Sequence, residues 1–372
     1  MLKVIKYVLF YIILKCPVLK EEKFLFQIIE LLNEAAIGND KTKVENLYKV
    51  QEMILNKSPN LLDNFLEEII GFQTDKSADV RKAVVAFIEE ASKKEPDILH
   101  RIVGNLVMFL QDNSVQVQKR AVQATSHVYR AVLMWVSKSR SVTSSVERTW
   151  NLMNQAKALI TQMVDNDNDG IRTHAVKFLE AVVLLQTYPE PESMRRNNDF
   201  SLEDVPMALK IARRRKLEEE AIMTLDLLIK FHGSAHISSV NLMACMGSLT
   251  LIAKMRPQYM PKVITAMEAL HTNLPPTLSK SQVSSVRKHL KLQLLTLLKH
   301  PASADVHGNI TTLLMDLGAT QQETGMVPKC SIIKNSPKPD EVRKRQKRLE
   351  ALAQSQPVAK RPRIEMTDLL EP

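Results

Sequence analysis

Asp75, Ser77, Val80 and Val85 return as Asp112, Ser114, Val117 and Val122, 37 positions later, and again, 54 further on, as Asn166, Asn168, Ile171 and Val176. A fainter copy surrounds Val286, with Ser281 five residues before it and Arg287 immediately after, as Arg81 follows Val80 and Arg172 follows Ile171. No other feature restricts the fold as strongly. Between the copies, from Glu22 onward, apolar residues recur every three or four positions, the helical period. A helix pair cannot bury its apolar stripe alone, so pairs that repeat at this interval stack and bury one another's faces. The spacing predicts an all-α fold, a HEAT/armadillo-like α-solenoid of stacked antiparallel helix pairs. In it Asp or Ser in each turn caps the second helix, and Val or Ile one turn in anchors it to the core.

Breakers at Gly38-Asn39-Asp40, Ser58-Pro59-Asn60, Thr74-Asp75, Glu95-Pro96-Asp97, Asp112-Asn113 and Asp165–Gly170 cut the chain into segments of helix length. About thirteen helices result. Strand-like alternation is absent, and only 9 of 372 residues are glycine, too few for an all-β fold's turns. Neither a G-x-G-x-x-G nor a G-x-x-x-x-G-K-[ST] phosphate loop occurs. Cys16, Cys245 and Cys330 lie too far apart for a C-x-x-C pair or a disulfide framework, so the chain reads as reduced and intracellular.

Three regions follow. Residues 1–21 form an atypical apolar segment, in which Lys3 and Lys6 precede Tyr7–Leu14. No small-residue cleavage site follows, and eight apolar residues fall far short of the ~20 that span a bilayer. The expectation is an extra packed helix or a gene-model fragment, with no membrane anchor. Residues 22–318 form the solenoid, interrupted at 187–216 by a polar insertion bearing Pro189, Pro191, Pro206 and Arg213-Arg214-Arg215-Lys216. Residues 319–372 read as a disordered tail.

No motif nominates catalysis, a cofactor or a metal. Asp165-Asn-Asp167-Asn-Asp169-Gly170 copies the start of a calcium loop, but its twelfth position, where a bidentate Glu belongs, is the core anchor Val176, and Arg172 adds repulsion. His232-x-x-x-His236 lacks a third ligand nearby. No G-x-S-x-G elbow gathers a nucleophile, base and orienting acid. The chain therefore reads as a non-enzyme. In the tail, Arg343-Lys344-Arg345-Gln346-Lys347-Arg348 is followed eleven residues later by Lys360-Arg361-Pro362-Arg363. Two basic clusters at that spacing predict a bipartite nuclear localisation signal held by the acidic pockets of an import receptor, and hence a nuclear protein. A nonspecific nucleic-acid tail is the rival for these clusters.

Longer strings carry a resemblance. Ile37–Glu90, Trp135-Val-Ser-Lys-Ser-Arg140, Asp167-Asn-Asp-Gly-Ile-Arg-Thr-His174 with Ala175-Val-Lys-Phe178, and above all His271–Arg287 with Leu297–Ser303 resemble the N-terminal region of the symplekin family. The likeness runs from about Leu31 to Gly318, interrupted at 187–220. It implies a HEAT/armadillo-like scaffold of pre-mRNA 3′-end cleavage and polyadenylation whose concave face binds and stimulates a phosphatase of the RNA polymerase II C-terminal domain. Cleavage and polyadenylation factors are implied as further partners. Family members, however, continue for many hundreds of residues and dock the endonuclease module through that later portion.

With the anchors pointing inward, offsets of +2, +6, +9 and +13 form an outward stripe on each second helix. On the first copy it reads Lys82, Ala86, Glu89 and Lys93; on the second, Lys119, Gln123, Ser126 and Arg130; on the third, Thr173, Lys177 and Glu180. The resemblance singles out the Lys of Thr-His-Ala-Val-Lys, which is Lys177, as a phosphatase contact. Thr173, Lys119, Gln123, Ser126 and Arg130 are the accompanying candidates. A nucleic-acid-binding or transport-adaptor solenoid is the competing reading. It is weakened because residues 1–320 hold 40 basic against 34 acidic side chains and few aromatics to stack bases, so no direct sequence-specific nucleic-acid binding is expected.

Overall fold

Two recipes account for most helix entries along the chain. In a computed structural model that describes residues 17–324, thirteen α-helices are seen among the described residues, and no strand. They are α1 (Pro17–Ile37), α2 (Asp40–Glu52), α3 (Leu62–Gly71), α4 (Ala78–Lys94), α5 (Leu99–Leu110), α6 (Val115–Lys138) and α7 (Ser144–Gln162). There follow α8 (Asp169–Leu185), α9 (Arg214–His232), α10 (Ser239–Met255), α11 (Met260–Thr272), α12 (Lys280–Leu298) and α13 (His307–Asp316). The solenoid thus begins at Pro17, five residues before the point predicted. Met1–Leu14, Arg343–Arg348 and Lys360–Arg363 lie outside the described residues.

Four odd-numbered helices are entered through proline, whereas α7 is capped by Thr143 through Val146 N at 3.3 Å and α9 follows Arg213 with no side-chain cap. Short 3₁₀ turns at Pro59–Leu61, Pro96–Ile98, Pro257–Tyr259 and Pro301–Val306 lead into α3, α5, α11 and α13. Proline's fixed φ suits a helical first turn, where its missing N–H costs nothing. Even-numbered helices are entered through Asn, Asp or Ser. Asn39 caps α2 through Thr42 N at 3.0 Å, Ser238 caps α10, and Ser279 forms a capping box with Gln282 on α12. At α4 and α6 the mechanism differs from the one predicted. Ser77 and Ser114 make no side-chain cap; instead Asp75 and Asp112 each accept the N–H two residues on, at 2.8 and 2.7 Å. These are Asx turns, which reverse the chain before the helix starts.

The anchors are buried as the repeat required. Val80, Val117, Ile171 and Val286 are all inaccessible, as are Val85, Val122 and Val176. Even helices pack side by side in the order α2, α4, α6, α8, α10, α12, making one wall. Odd helices form the other, with α5 against α7, α9 against α11 and α11 against α13. Between the walls runs one apolar core, which near its middle seats Tyr129 stacked on Trp150 and edge-on to Phe178. The odd wall opens between α7 and α9 into a cleft of about 750 Å³.

The insertion corrects the sequence reading of a merely polar excursion. Between α8 and α9 it sends Phe200, Leu202, Val205, Leu209 and Ala212 into the core, so it is a docked loop with a polar outer side. Met194 N donates to Lys254 O at 3.0 Å, and Gln258 Nε2 to Tyr188 O at 2.8 Å, which fastens the loop across the C-terminal ends of α8 and α10. Arg256, almost inaccessible, completes the join. Its Nε donates to the Thr187 hydroxyl at 2.8 Å, its Nη1 to Met255 O at 2.6 Å and its Nη2 to Leu184 O, so a buried guanidinium joins the last carbonyl of α10 to one in the final turn of α8.

Candidate functional site

The residues expected to meet a partner lie on α6 and α8, which are neighbours in the even wall. Lys177 stands exposed on α8 and pairs with Glu180, one turn on, at 2.7 Å. Flanking residues Val176 and Phe178 are buried, so the lysine is fixed at its base while its ammonium, paired with Glu180, stays exposed. Gln123 on α6 is likewise exposed, while Ser126 is half-buried.

Three candidates are engaged within the fold. Thr173 Oγ1 donates to Asp169 O at 2.9 Å and approaches Asn241 Oδ1 at 2.8 Å; Asn241 Nδ2 in turn donates to Asp169 Oδ1 at 2.8 Å. Its hydroxyl ties α8 to the buried Asn241 of α10, which leaves it a fastening of the wall. Arg130 donates from Nη2 to Asn198 O, joining α6 to the insertion. Lys119 lays the end of its side chain over Gly170 at the start of α8, where no Cβ stands in its way. The ammonium lowers the pKa of half-buried His174, whose charged form burial already disfavours.

On α4 the outward stripe is overturned. Ala86 and Glu89 are buried, because a helix inside a wall is covered on both flanks by its neighbours and keeps only a narrow free strip. Glu89 is a junction between α4 and α6: it takes Lys93 at 2.9 Å, His127 at 2.8 Å and Arg120. His127, then Lys93 and Arg120, hold its carboxyl far below the usual range against the opposing effect of burial. Arg172 pairs with Asp169 in the turn that resembled a calcium loop, and Asn168 caps α8 there through Gly170 N at 3.0 Å and Ile171 N at 3.3 Å. His232 is buried and His236 exposed, so the two do not converge. Among the described residues no group of three His, Cys, Asp or Glu side chains is placed to hold a metal, and no helix is long and apolar enough to cross a membrane.

Sequence reading missed how charge divides between the walls. From α3 to α13 the even helices carry 15 Lys and Arg against 5 Asp and Glu; the odd helices carry 8 against 10. Neither α6 nor α12 contains a single acidic residue. Overall charge hid this, because the excess appears only when alternate helices are counted apart. The even wall is therefore the more basic of the two.

A stack of helix pairs in two walls around one apolar core defines a helical-repeat protein. The chain belongs to the Symplekin/PTA1 N-terminal family, whose model matches residues 114–344, from the turn before α6 past the end of α13. Membership places it among scaffolds of pre-mRNA 3′-end processing. Among solved structures it is similar to computationally designed armadillo repeat proteins. One shares 16% identity, covering 72% of this chain and 97% of that chain at a TM-score of 0.38. A second, solved with a (KR)4 peptide, shares 15%, covering 71% and 97% at 0.39. At these scores the likeness adds nothing to the fold read from the helices themselves.

Proposed function

We propose that the chain is a noncatalytic nuclear scaffold of pre-mRNA cleavage and polyadenylation that binds and stimulates a phosphatase of the RNA polymerase II C-terminal domain on its even wall. The observation that carries this is Lys177: the lysine singled out by the family likeness stands exposed on α8, in the wall whose charge suits an acidic partner. Gln123 and Ser126 on the adjacent α6 are the accompanying contacts, and Lys119 and Arg130 contribute charge at either end of that stripe. Thr173 positions α8 for the interface without touching the partner. Import rests on Arg343, Lys344, Arg345, Lys347 and Arg348 with Lys360, Arg361 and Arg363, read by an import receptor. Cleavage and polyadenylation factors are the remaining partners.

Titration of purified phosphatase against the parent and Lys177→Ala tests the reading. An exposed lysine on a helix face contributes within ~0.5 kcal/mol to folding, so the melting temperature should hold. Desolvated against a partner's carboxylate or carbonyl, the same ammonium is worth ~2 kcal/mol or more, a loss of at least about thirtyfold in affinity. Equal binding by both proteins removes α8 from the interface. The basic wall also serves the competing reading, a nucleic-acid-binding solenoid. RNA affinity that persists at high salt would favour that alternative, because contacts to phosphate alone collapse as salt rises.

A further inference from the structure

The C-terminal end of the even wall carries a second feature, two even helices on from α8 and independent of the phosphatase reading. A cleft of about 440 Å³ lies along α12, bordered by Leu278 before the helix and Leu317 after α13. Lys280, Ser284, Arg287, Lys288 and Lys291 line it from one face of α12, at helical spacings of four, three, one and three. No Asp or Glu lines it. The one carboxylate engaged nearby, Glu323, is bound to Lys291 at 3.0 Å, so that pair cancels, and Lys291 also donates to Gly318 O at 3.2 Å.

Lys280, Arg287 and Lys288 are exposed and make no ion pair among the described residues, where Lys43, Arg81, Lys93, Arg101 and Lys157 all find carboxylates. Arg287 and Lys288 are successive residues and Lys280 lies two turns before them, so three cations share the cleft with no carboxylate lining it. Leu278, Val283 and Leu317 give the same cleft an apolar floor. The start of α12 is already occupied by its own capping box, so the helix terminus is not the attraction; the side chains are.

We propose that this cleft docks a phosphorylated serine or threonine segment of a partner protein. The phosphate sits among Arg287, Lys288 and Lys280 with the Ser284 hydroxyl as a further donor, and a neighbouring aliphatic side chain rests on Leu278, Val283 and Leu317. Charge complementarity selects the dianion, since guanidinium and ammonium donors bind phosphate oxygens in charge-assisted hydrogen bonds. The apolar floor selects a peptide over single-stranded RNA, because none of the lining residues is aromatic and base recognition on single strands relies on stacking platforms.

Two degenerate nonapeptide pools test this on the immobilised full chain, one with a fixed central phosphoserine and one with serine there. The phosphoserine pool should be retained about tenfold or more over the serine pool, as expected for two or three charge-assisted bonds. Arg287→Ala/Lys288→Ala should abolish that preference with an unchanged melting temperature, since both side chains are exposed, and Lys177→Ala should keep it. Arg287→Lys should give an intermediate value through loss of the planar fork. Equal retention of the two pools overturns the proposal, as does undiminished preference in the double variant. Preferential retention of a fifteen-nucleotide RNA, lost in that variant, would assign the cleft to nucleic acid instead.

Discussion

Arg81 on α4 grips Asp112, in the turn before α6, with two hydrogen bonds: Nε to Oδ2 at 2.7 Å and Nη2 to Oδ1 at 2.9 Å. One repeat earlier Lys43 on α2 reaches Asp75, in the turn before α4, at 2.7 Å. A cation on one even helix thus holds the acidic turn that introduces the next. Both carboxylates sit below their ordinary pKa, because these partners outweigh the burial that would raise it. The turn acid of the repeat is therefore an inter-repeat fastening as well as a local one.

Arg81 also donates from Nη1 to the carbonyls of Asp75 and Lys76, at 2.7 and 3.1 Å. Arg81→Ala should cost about 2–3 kcal/mol, since a largely buried carboxylate loses its partner and two carbonyls lose a donor. A double-mutant cycle with Asp112→Ala, measured by urea unfolding, should return a coupling of roughly 1–3 kcal/mol. Additive losses would mean the pair is incidental to stacking.

Lys157 offers a contrast in how a buried charge is kept. Its ammonium lies 2.6 Å from Glu220 and over the Tyr129 and Trp150 rings, 5.4 and 5.8 Å from their centroids. Lys157→Met retains the packed stem and leaves Glu220, which is partly exposed, free to turn to water. Glu220→Gln leaves a buried ammonium with neutral partners only, the amide oxygen, the Tyr129 hydroxyl and the ring faces, and no counter-charge. The second change should destabilise more, about 3 kcal/mol against 1–2 for the first. Thermal melts of the two variants decide it, and the reverse order would show that the ion pair is not what holds α9 to α7.

Stability should fall in mild acid. Burial pushes the His232 pKa down to about 4, and its Nε2 has no hydrogen-bond partner. The neutral ring is favoured in the fold, so this contribution is complete above the ordinary histidine value near 6.5 and is lost as pH falls from there towards 4. At pH 4.5 the loss amounts to ~2–3 kcal/mol. His174, His289 and His300 are shifted the same way by burial, so they add to the slope. His232→Gln should remove about 2 kcal/mol of the difference between unfolding free energies at pH 7.5 and 4.5. An identical pH dependence in parent and variant would show that His232 titrates normally.

Local order was legible in the sequence because helical period and turn chemistry are local. Val80, Val117 and Ile171 could be placed in the core from spacing alone, and Ser58-Pro59-Asn60 and Glu95-Pro96-Asp97 marked breaks between helices. What lay hidden depended on residues far apart. Nothing near Thr173 announces that its hydroxyl meets Asn241, 68 positions on, and nothing in Glu89 announces Arg120 and His127 on the next even helix. Lys157 was readable in principle: it shares a helix face with Trp150, Met153 and Ile160, an apolar stripe on which a lysine needs a partner. The wall-by-wall charge became visible only once alternate helices were known to lie together.

Gly170, second residue of α8, tests whether the Lys119 contact matters to the fold. A methyl added there would lie 2.5 Å from Lys119 Nζ and still nearer Cε. Those atoms are the far end of a flexible side chain, so they can swing away at little cost. Two gains oppose that cost. Alanine restricts the unfolded chain more than glycine does, worth ~0.5 kcal/mol at a helical position. A cation leaving a helix N-terminus also relieves an unfavourable interaction with the helix dipole, worth a few tenths of a kcal/mol. Gly170→Ala should therefore raise the melting temperature by a degree or two. A fall of several degrees would show that Lys119 is pinned by packing of α6 on α8, and that the glycine is required to admit it.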